Sequence, residues 1–235
     1  MVNTATSLSE APPPYVDAVR SFFDHQYAAH PRYWWQGDNR YSLEPSQHTP
    51  FNALVLQIAA RRRPGRALDL GAGEGADAIR LAKLGYQVDA VEISPVACRK
   101  IERFARAENV KVHVHNDSIL DVALPHASYD LVLFNGSLHY TREKNAVLAR
   151  ATAASAPGAV HALALFSTAT PLSAEHTAVP VFPEPEGGTV EQYYRNWDIL
   201  LLAYDRDQAE HSHPGFEPHA HSYIKLIARR PEGTR

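Results

Sequence analysis

Apolar residues fall on one side of a helix from Tyr15 to about Ala29: Val16, Val19, Phe22, Phe23 and Tyr27. Phe51, Leu54, Val55, Ile58 and Ala59 repeat such a stripe at spacings 0, +3, +4, +7 and +8. Thr49 and Pro50 supply its N-cap and a proline at the first helical position. Arg61–Arg63 suit its negative dipole end, and Pro64-Gly65 stops it. The pattern then changes. Ala67–Leu70, Val88–Val91, Lys111–His115, Leu131–Phe134 and Val160–Phe166 are short runs that predict strands. Between them lie a helix ending at Gly85, a helix opening at Pro95 with Ala97, Ile101, Phe104 and Ala105 on one face, and a helix over Glu143–Ser155 stopped by Pro157-Gly158. This alternation predicts an α/β fold, a doubly wound, mostly parallel sheet with helices on both faces. A Pro-rich loop over 168–188 and a short helix from Thr189 to about Trp197 follow. Ile199–Tyr204 and Tyr223–Ala228 read as two further strands, which brings the sheet to seven. Their His-rich connection is too short for a helical crossover, so they predict an antiparallel C-terminal pair.

The chain divides accordingly into a polar, flexible tail (1–13), an N-terminal helix with an aromatic segment (14–49) and one domain (50–230) carrying an insertion at 168–197. Composition bounds the function. Hydrophobic residues at 45% and charged residues at 21% are ordinary for a globular chain and exclude wholesale disorder. Lys plus Arg number 23 against 26 Asp plus Glu, and a net charge of -3 argues against electrostatic binding of duplex nucleic acid. The lone cysteine, Cys98, excludes an internal disulfide framework, fits a reducing compartment and reads as a core thiol. The start, MVNTATSLSE, has neither a basic nor an apolar region, and no apolar run reaches the roughly 18 residues that span a membrane. A cytoplasmic monomer or homodimer without membrane or nucleic-acid partners is expected.

The informative segment is the turn Asp69-Leu70-Gly71-Ala72-Gly73-Glu74-Gly75-Ala76. Its glycines let the chain turn tightly from strand to helix and let a ligand touch main chain. Gly71, Gly73 and Ala76 satisfy the spacing of a dinucleotide fingerprint, with Glu92 further on. The charges separate the readings. Asp69 before the turn and Glu74 within it would repel a pyrophosphate, by several kcal/mol at low effective dielectric. The same acids suit a cationic ligand such as S-adenosylmethionine, which has an ammonium, a sulfonium and no phosphate.

The run DLGAGEG from Asp69 to Gly75 resembles motif I of the class I S-adenosylmethionine-dependent methyltransferases, and three further motifs follow in order. They are VDAVEIS with Glu92, HNDSIL with Asp117 and Ser118, and YDLVLFNGSLHY after the fourth strand. The likeness covers roughly residues 50 to 166 and also touches the tellurite-resistance-like, small-molecule branch. It implies a Rossmann-like sheet with S-adenosylmethionine as cofactor. Asp69, Gly71, Ala72 and Gly73 would hold the methionine part, Glu92 and Ile93 the ribose, and Asp117, Ser118 and Ile119 the adenine. Asn135, His139 and Tyr140 would lie near the transferred methyl, His139 as a general base if the acceptor is a hydroxyl. The run Asn135-Gly136-Ser137-Leu138 departs from the Asn/Asp-Pro-Pro-aromatic motif of amine methylation on bases. That agrees with a small-molecule acceptor.

Other residues are ambiguous. Tyr33, Trp34, Trp35, Arg40 and Tyr41 suit either packing on the first helix or a lid whose rings hold a sulfonium by cation–π attraction. Tyr193 and Trp197 share a helical face while Tyr194 points elsewhere, so one of the three could reach the site from the insertion, which would form a substrate cap. Ser222, beside His221 and Tyr223, could help to close the site. His211, His213, His219 and His221 could converge on a metal, but no Cys or carboxylate completes a pattern, and no metal is expected. Two other functions stay open. One is a cyclase that attacks the aminobutyrate arm of S-adenosylmethionine with its own amine, giving azetidine-2-carboxylate and methylthioadenosine. Asn135, Tyr194 and Ser222 would then anchor the bent arm under the aromatic lid. The other is a non-enzymatic cofactor or metal-binding detoxification protein.

Overall fold

The computed structural model describes residues 13–34, 40–172, 178–210 and 219–233. Trp35, His211 and His213 lie outside the described residues. The first four strands are β1 (Arg66–Leu70), β2 (Gln87–Glu92), β3 (Val112–Asn116) and β4 (Tyr129–Asn135), followed by β5 (Ser155–Phe166), β6 (Asp198–Glu210) and β7 (His219–Arg229). The helices are α1 (Pro14–Ala29), α2 (Pro50–Arg61), α3 (Ala76–Lys83), α4 (Pro95–Ala107), α5 (Lys144–Ala154) and α6 (Thr189–Tyr194). One seven-stranded sheet has the order β3-β2-β1-β4-β5-β7-β6. β1 pairs in parallel with β2 and β4, and β4 with β5, while β7 runs antiparallel to both β5 and β6. The direction of strand addition reverses between β1 and β4. A crevice opens there, outside the carboxyl ends of the strands.

Local chemistry starts the helices where expected. Thr49 Oγ1 accepts the Asn52 amide at 3.3 Å ahead of α2, and Ser94 Oγ accepts the Ala97 amide at 3.1 Å ahead of α4. Both helices carry proline in the first turn. The central strands are buried on both faces. Leu131 and Leu133 of β4 meet Phe51, Val55, Leu81 and Ile101 from α2, α3 and α4. Val132 and Phe134, pointing the other way, meet Val147, Leu148 and Ala151 of α5. Each such side chain contributes about 1.5–3 kcal/mol by leaving water. Cys98 is buried, and burial pushes its thiol up to about 12, as a core thiol requires.

Three strands outrun the apolar runs that announced them. β6 and β7 extend into the His-rich connection because antiparallel pairs at a sheet end tolerate polar residues on the open face. Arg229 pairs with Asp198 at 2.9 Å, and Lys225 with Asp205, across this ribbon. β5 begins at Ser155, where the expected α5 ended.

The short helix α6 corrects two expectations. Tyr193 and Tyr194 do not reach the crevice. Both pack with Trp197 against the α5 side of the sheet. Tyr193 Oη donates to Thr152 Oγ1 at 3.0 Å. Tyr194 is fully buried, and its hydroxyl bonds His161 Nδ1 at 2.7 Å, while His161 Nε2 meets Ser155 Oγ at 2.7 Å. Burial, aided by Arg230, pushes His161 down to about 3, so the ring is neutral and both nitrogens need these partners. Tyr194→Phe should therefore cost about 1–3 kcal/mol of stability in urea denaturation. Ligand affinity should not change; a lost ligand affinity at unchanged stability would contradict this placement.

Candidate active site

A cavity of about 340 Å³ occupies the crevice at the carboxyl ends of β1, β2 and β4. The β1–α3 turn forms its floor. Gly71 has φ +81°, and a Cβ there would lie 2.3 Å from Ser137 Cβ, so only glycine lets the β1 and β4 ends approach this closely. The Gly73 amide donates to Glu92 Oε2 at 2.8 Å, which ties the turn to the end of β2.

Two buried carboxylates face this cavity. Asp69, at the end of β1, accepts the Ala78 amide at 3.1 Å. Burial, with the charge of Asp77 beside it, raises its pKa well above the carboxylate norm. Glu92 accepts from Gly73 and, through Oε1, from the Ser94 amide at 2.9 Å. Burial raises it from 4.5 to about 7 in spite of those bonds. Ile93, Ala72, Ser118 and Ile119 also line the wall. Asp117 does not. Its carboxylate accepts the Ser118 amide at 2.8 Å and shapes the loop instead.

Glu74 departs from its expected part. It is 1% exposed, and its charge is consumed by Arg40 at 3.0 Å and Lys100 at 2.9 Å. Burial alone would raise its pKa, yet these cations hold it below the usual value. The same carboxylate accepts the main-chain amides of Tyr33 and Trp34 at 3.0 and 3.2 Å. Glu74 is an anchor for the aromatic segment rather than a charge offered to a cationic ligand.

That anchor sets the roof. Tyr33 is buried edge-on to Tyr27 at 5.8 Å, and Trp34 Nε1 donates to Tyr27 Oη at 2.8 Å. Arg40 borders the cavity, but its guanidinium belongs to Glu74. Tyr41 turns away and packs with Ile79, Phe104 and Ala105. It takes no part in the wall.

At the β4 end, Asn135 Nδ2 donates to Asp77 Oδ2 at 2.7 Å and to Asn52 Oδ1 at 3.1 Å. Both amide hydrogens are spent, and its oxygen is what it can offer. His139 is buried and stacked on Phe166 at 3.9 Å. The Phe166 amide donates to His139 Nδ1 at 3.2 Å. A neutral ring assigned from that bond has Nδ1 occupied as an acceptor and its proton on Nε2, which does not support the expected general base. Tyr140 lines the wall edge-on to Phe23 at 5.0 Å. Ser222 does not line it. Its hydroxyl bonds Thr170 Oγ1 at 2.5 Å and accepts the Asp207 amide at 3.2 Å. Tyr223 reaches the wall instead, and His221 stacks behind it on Phe166 at 4.1 Å.

Sequence reasoning missed part of the wall. Val16, Val19, Phe22, Phe23 and Tyr27 of α1 line the cavity, as do Asp77, Asn52 and Val179. The α1 stripe was visible as apolar, but nothing local said that it roofs the crevice. The acidic Asp77 in the first turn of α3 was a usable signal, since an anion at a helix N-terminus beside a glycine turn faces whatever that turn holds.

Buried acids at successive strand ends, a glycine turn and a crevice at the switch point have the form of a nucleoside-cofactor site in a doubly wound α/β domain. Residues 67–158 match the family model described as a methyltransferase domain. An uncharacterized methyltransferase of Mycobacterium bovis is 36% identical over 102 residues, covering 43% of this chain and 50% of the relative. The chain spans about half the length of the curated relatives it matches. Among solved structures, the Burkholderia thailandensis 1,6-didemethyltoxoflavin-N1-methyltransferase, with 1,6-didemethyltoxoflavin and S-adenosylhomocysteine bound, has a TM-score of 0.64 at 23% identity, covering 94% of this chain and 91% of that one. The cyclase SpnF has a TM-score of 0.66 at 17% identity, covering 96% and 100%. At these identities the likeness is one of fold. Residues 67–158 thus resemble the methyltransferase domain family, and the chain has the Rossmann-like fold of these solved methyltransferase-type structures.

The raised Glu92 makes stability depend on pH. Its proton is held by the folded chain up to about 7 and by the unfolded chain only to about 4.5, so its contribution is full below the lower value and lost as pH rises through the upper one. Comparing wild type with Glu92→Gln by denaturation at pH 5 and pH 8, wild type should lose about 3 kcal/mol relative to the variant. A difference independent of pH would show that the carboxylate is ionised throughout.

Proposed function

We propose that the chain is an S-adenosylmethionine-dependent methyltransferase of a small-molecule acceptor, cytoplasmic in setting. The observation that carries this reading is one continuous cavity with an acidic cofactor half and an aromatic half. The residues present fit the cofactor. Asp69 and Glu92 are buried acids aimed at a main-chain cradle, and Ser118–Leu120 continue the wall where an adenine would lie. When bound, S-adenosylmethionine supplies an electrophilic methyl on a sulfonium, which is already an excellent leaving group.

The chain's own part is binding, orientation and exclusion of water. Asp69 would hold the ammonium end, and Glu92 would accept from the ribose hydroxyls once ionised. Trp34 and Tyr140 line the cavity, and their ring quadrupoles would favour the positive charge of a sulfonium there. Phe22, Phe23, Phe166, Tyr223 and Val179 give the acceptor half its apolar walls. Asn135 Oδ1 can accept, so an acceptor molecule can be oriented through a donor of its own. The loop that carries Val179 serves as the cap, held by the Phe182 amide on the His139 carbonyl at 2.7 Å. Among the described residues, no helix is long and apolar enough to cross a membrane. The net charge of -3 and a cavity at the small end of ligand pockets favour a metabolite over a macromolecule.

The rival reading is that the cofactor is itself the substrate. There its own amine would attack the γ-carbon and the carbon–sulfur bond would break, with azetidine-2-carboxylate and methylthioadenosine as products. SpnF is a cyclase with this fold, a reminder that the fold alone does not choose the reaction. Incubating the chain with S-adenosylmethionine, with and without an extract of small metabolites, separates the two. S-adenosylhomocysteine formed only with the extract, identified by mass spectrometry, is the expected result. Methylthioadenosine formed without any acceptor would overturn the methyltransferase reading in favour of the second.

A further inference from the structure

Away from the cavity, three ligand-type side chains converge on the other half of the sheet. Asp89 sits in the middle of β2, and His113 and His115 lie on β3, the edge strand beside it. Residues i and i+2 of a strand share a face, so both rings stand over Asp89. Asp89 Oδ1 is 2.7 Å from His113 Nδ1 and 2.9 Å from His115 Nε2. The three ligand atoms lie within 4.8 Å of one another. Ligands about 2.0–2.1 Å from one metal ion stand about 3 Å apart, so small side-chain shifts bring this set onto a single ion.

Two features mark a prepared site. The second oxygen of Asp89 is held by Arg66 Nη2 at 2.8 Å and by Tyr129 Oη at 3.0 Å. Those bonds fix the carboxylate and aim Oδ1 at the histidines, as outer partners do for metal ligands. Arg66 is itself seated over the Tyr129 ring at 4.8 Å. The solvent side is open. The β3–β4 connection makes turns and no helix, and the His113 and His115 side chains keep 68% and 30% of their surface while Asp89 keeps 8%. Water can complete the coordination sphere there.

We propose that Asp89, His113 and His115 bind one first-row divalent metal ion of the Ni²⁺, Cu²⁺ or Zn²⁺ type, clasping the edge strand β3 to β2. Two imidazoles and one carboxylate with open positions select these ions over Mg²⁺ and Ca²⁺, which prefer all-oxygen sets. The site is separate from the cavity, since none of its three residues lines that wall. Asp89 stands three residues before Glu92 on β2, about 10 Å along the strand. The ion would act as a structural clasp.

The test uses the full chain without an affinity tag, titrated calorimetrically with Ni²⁺ and with Zn²⁺, with the thermal midpoint followed in parallel. One ion per chain should bind in the micromolar range, raise the midpoint, and leave Mg²⁺ without effect. His113→Gln, at the most exposed ligand, should keep the fold by circular dichroism and weaken binding at least about tenfold. His115→Ala should do the same. The His211→Ala/His213→Ala double variant controls for the other histidine-rich stretch and should bind as wild type. The proposal is overturned by binding weaker than millimolar, by unchanged binding in a folded His113→Gln chain, or by loss of binding in the His211/His213 control.

Discussion

The cleft depends on the anchoring of one buried carboxylate. Glu74 emerges from the glycine turn into a place almost without water, where an isolated charge would be prohibitive. It persists because Arg40 comes from one direction, Lys100 of α4 from another, and two main-chain amides of the aromatic segment close the set. A buried ion pair of this kind is weak evidence of net stability. Its value is positional. The turn that forms the cavity floor and the segment that forms its roof share one anion, so neither can shift alone. α1 is held to the same frame by Ser94 Oγ on Asp24 and by Lys100 on the His30 carbonyl, each at 2.5 Å.

Beneath this the sheet fixes the chemistry. Parallel strands deliver their carboxyl ends to one edge, and the reversal of strand order between β1 and β4 leaves the crevice there. Asp69 and Glu92 end adjacent strands, so their side chains arrive in the crevice without any loop having to place them. Burial, which makes their charge costly, also makes it strongly responsive to a cationic or hydroxyl-bearing ligand. The roof supplies what the sheet cannot: large aromatic faces on the cavity wall, delivered by α1 and the segment after it.

Much of this was legible in the chain. The five parallel strands are short and most are buried on both sides, so their apolar runs announced them, and the glycine turn marked the strand end where the cavity opens. What failed was information held in distant partners. Tyr194 and Tyr193 look alike, and only tertiary packing sends both below the sheet to His161 and Thr152. Arg40 and Glu74, 34 residues apart, read as a lid cation and a cofactor acid until they meet each other. The α1 stripe gave a helix but not its destination. Histidine pairs drew attention near the C-terminus, while the pair at His113 and His115 passed as an ordinary strand because its carboxylate stands on the neighbouring strand, 24 residues from His113.

The central claim is that Glu74 holds the roof over the cleft, and hydrogen exchange resolved by residue addresses it directly in wild type and Glu74→Gln. The amides of Tyr33 and Trp34 should lose their protection in the variant, while the amides of β1, β2 and β4 remain protected. Equal protection of Tyr33 and Trp34 in the two proteins would contradict the account.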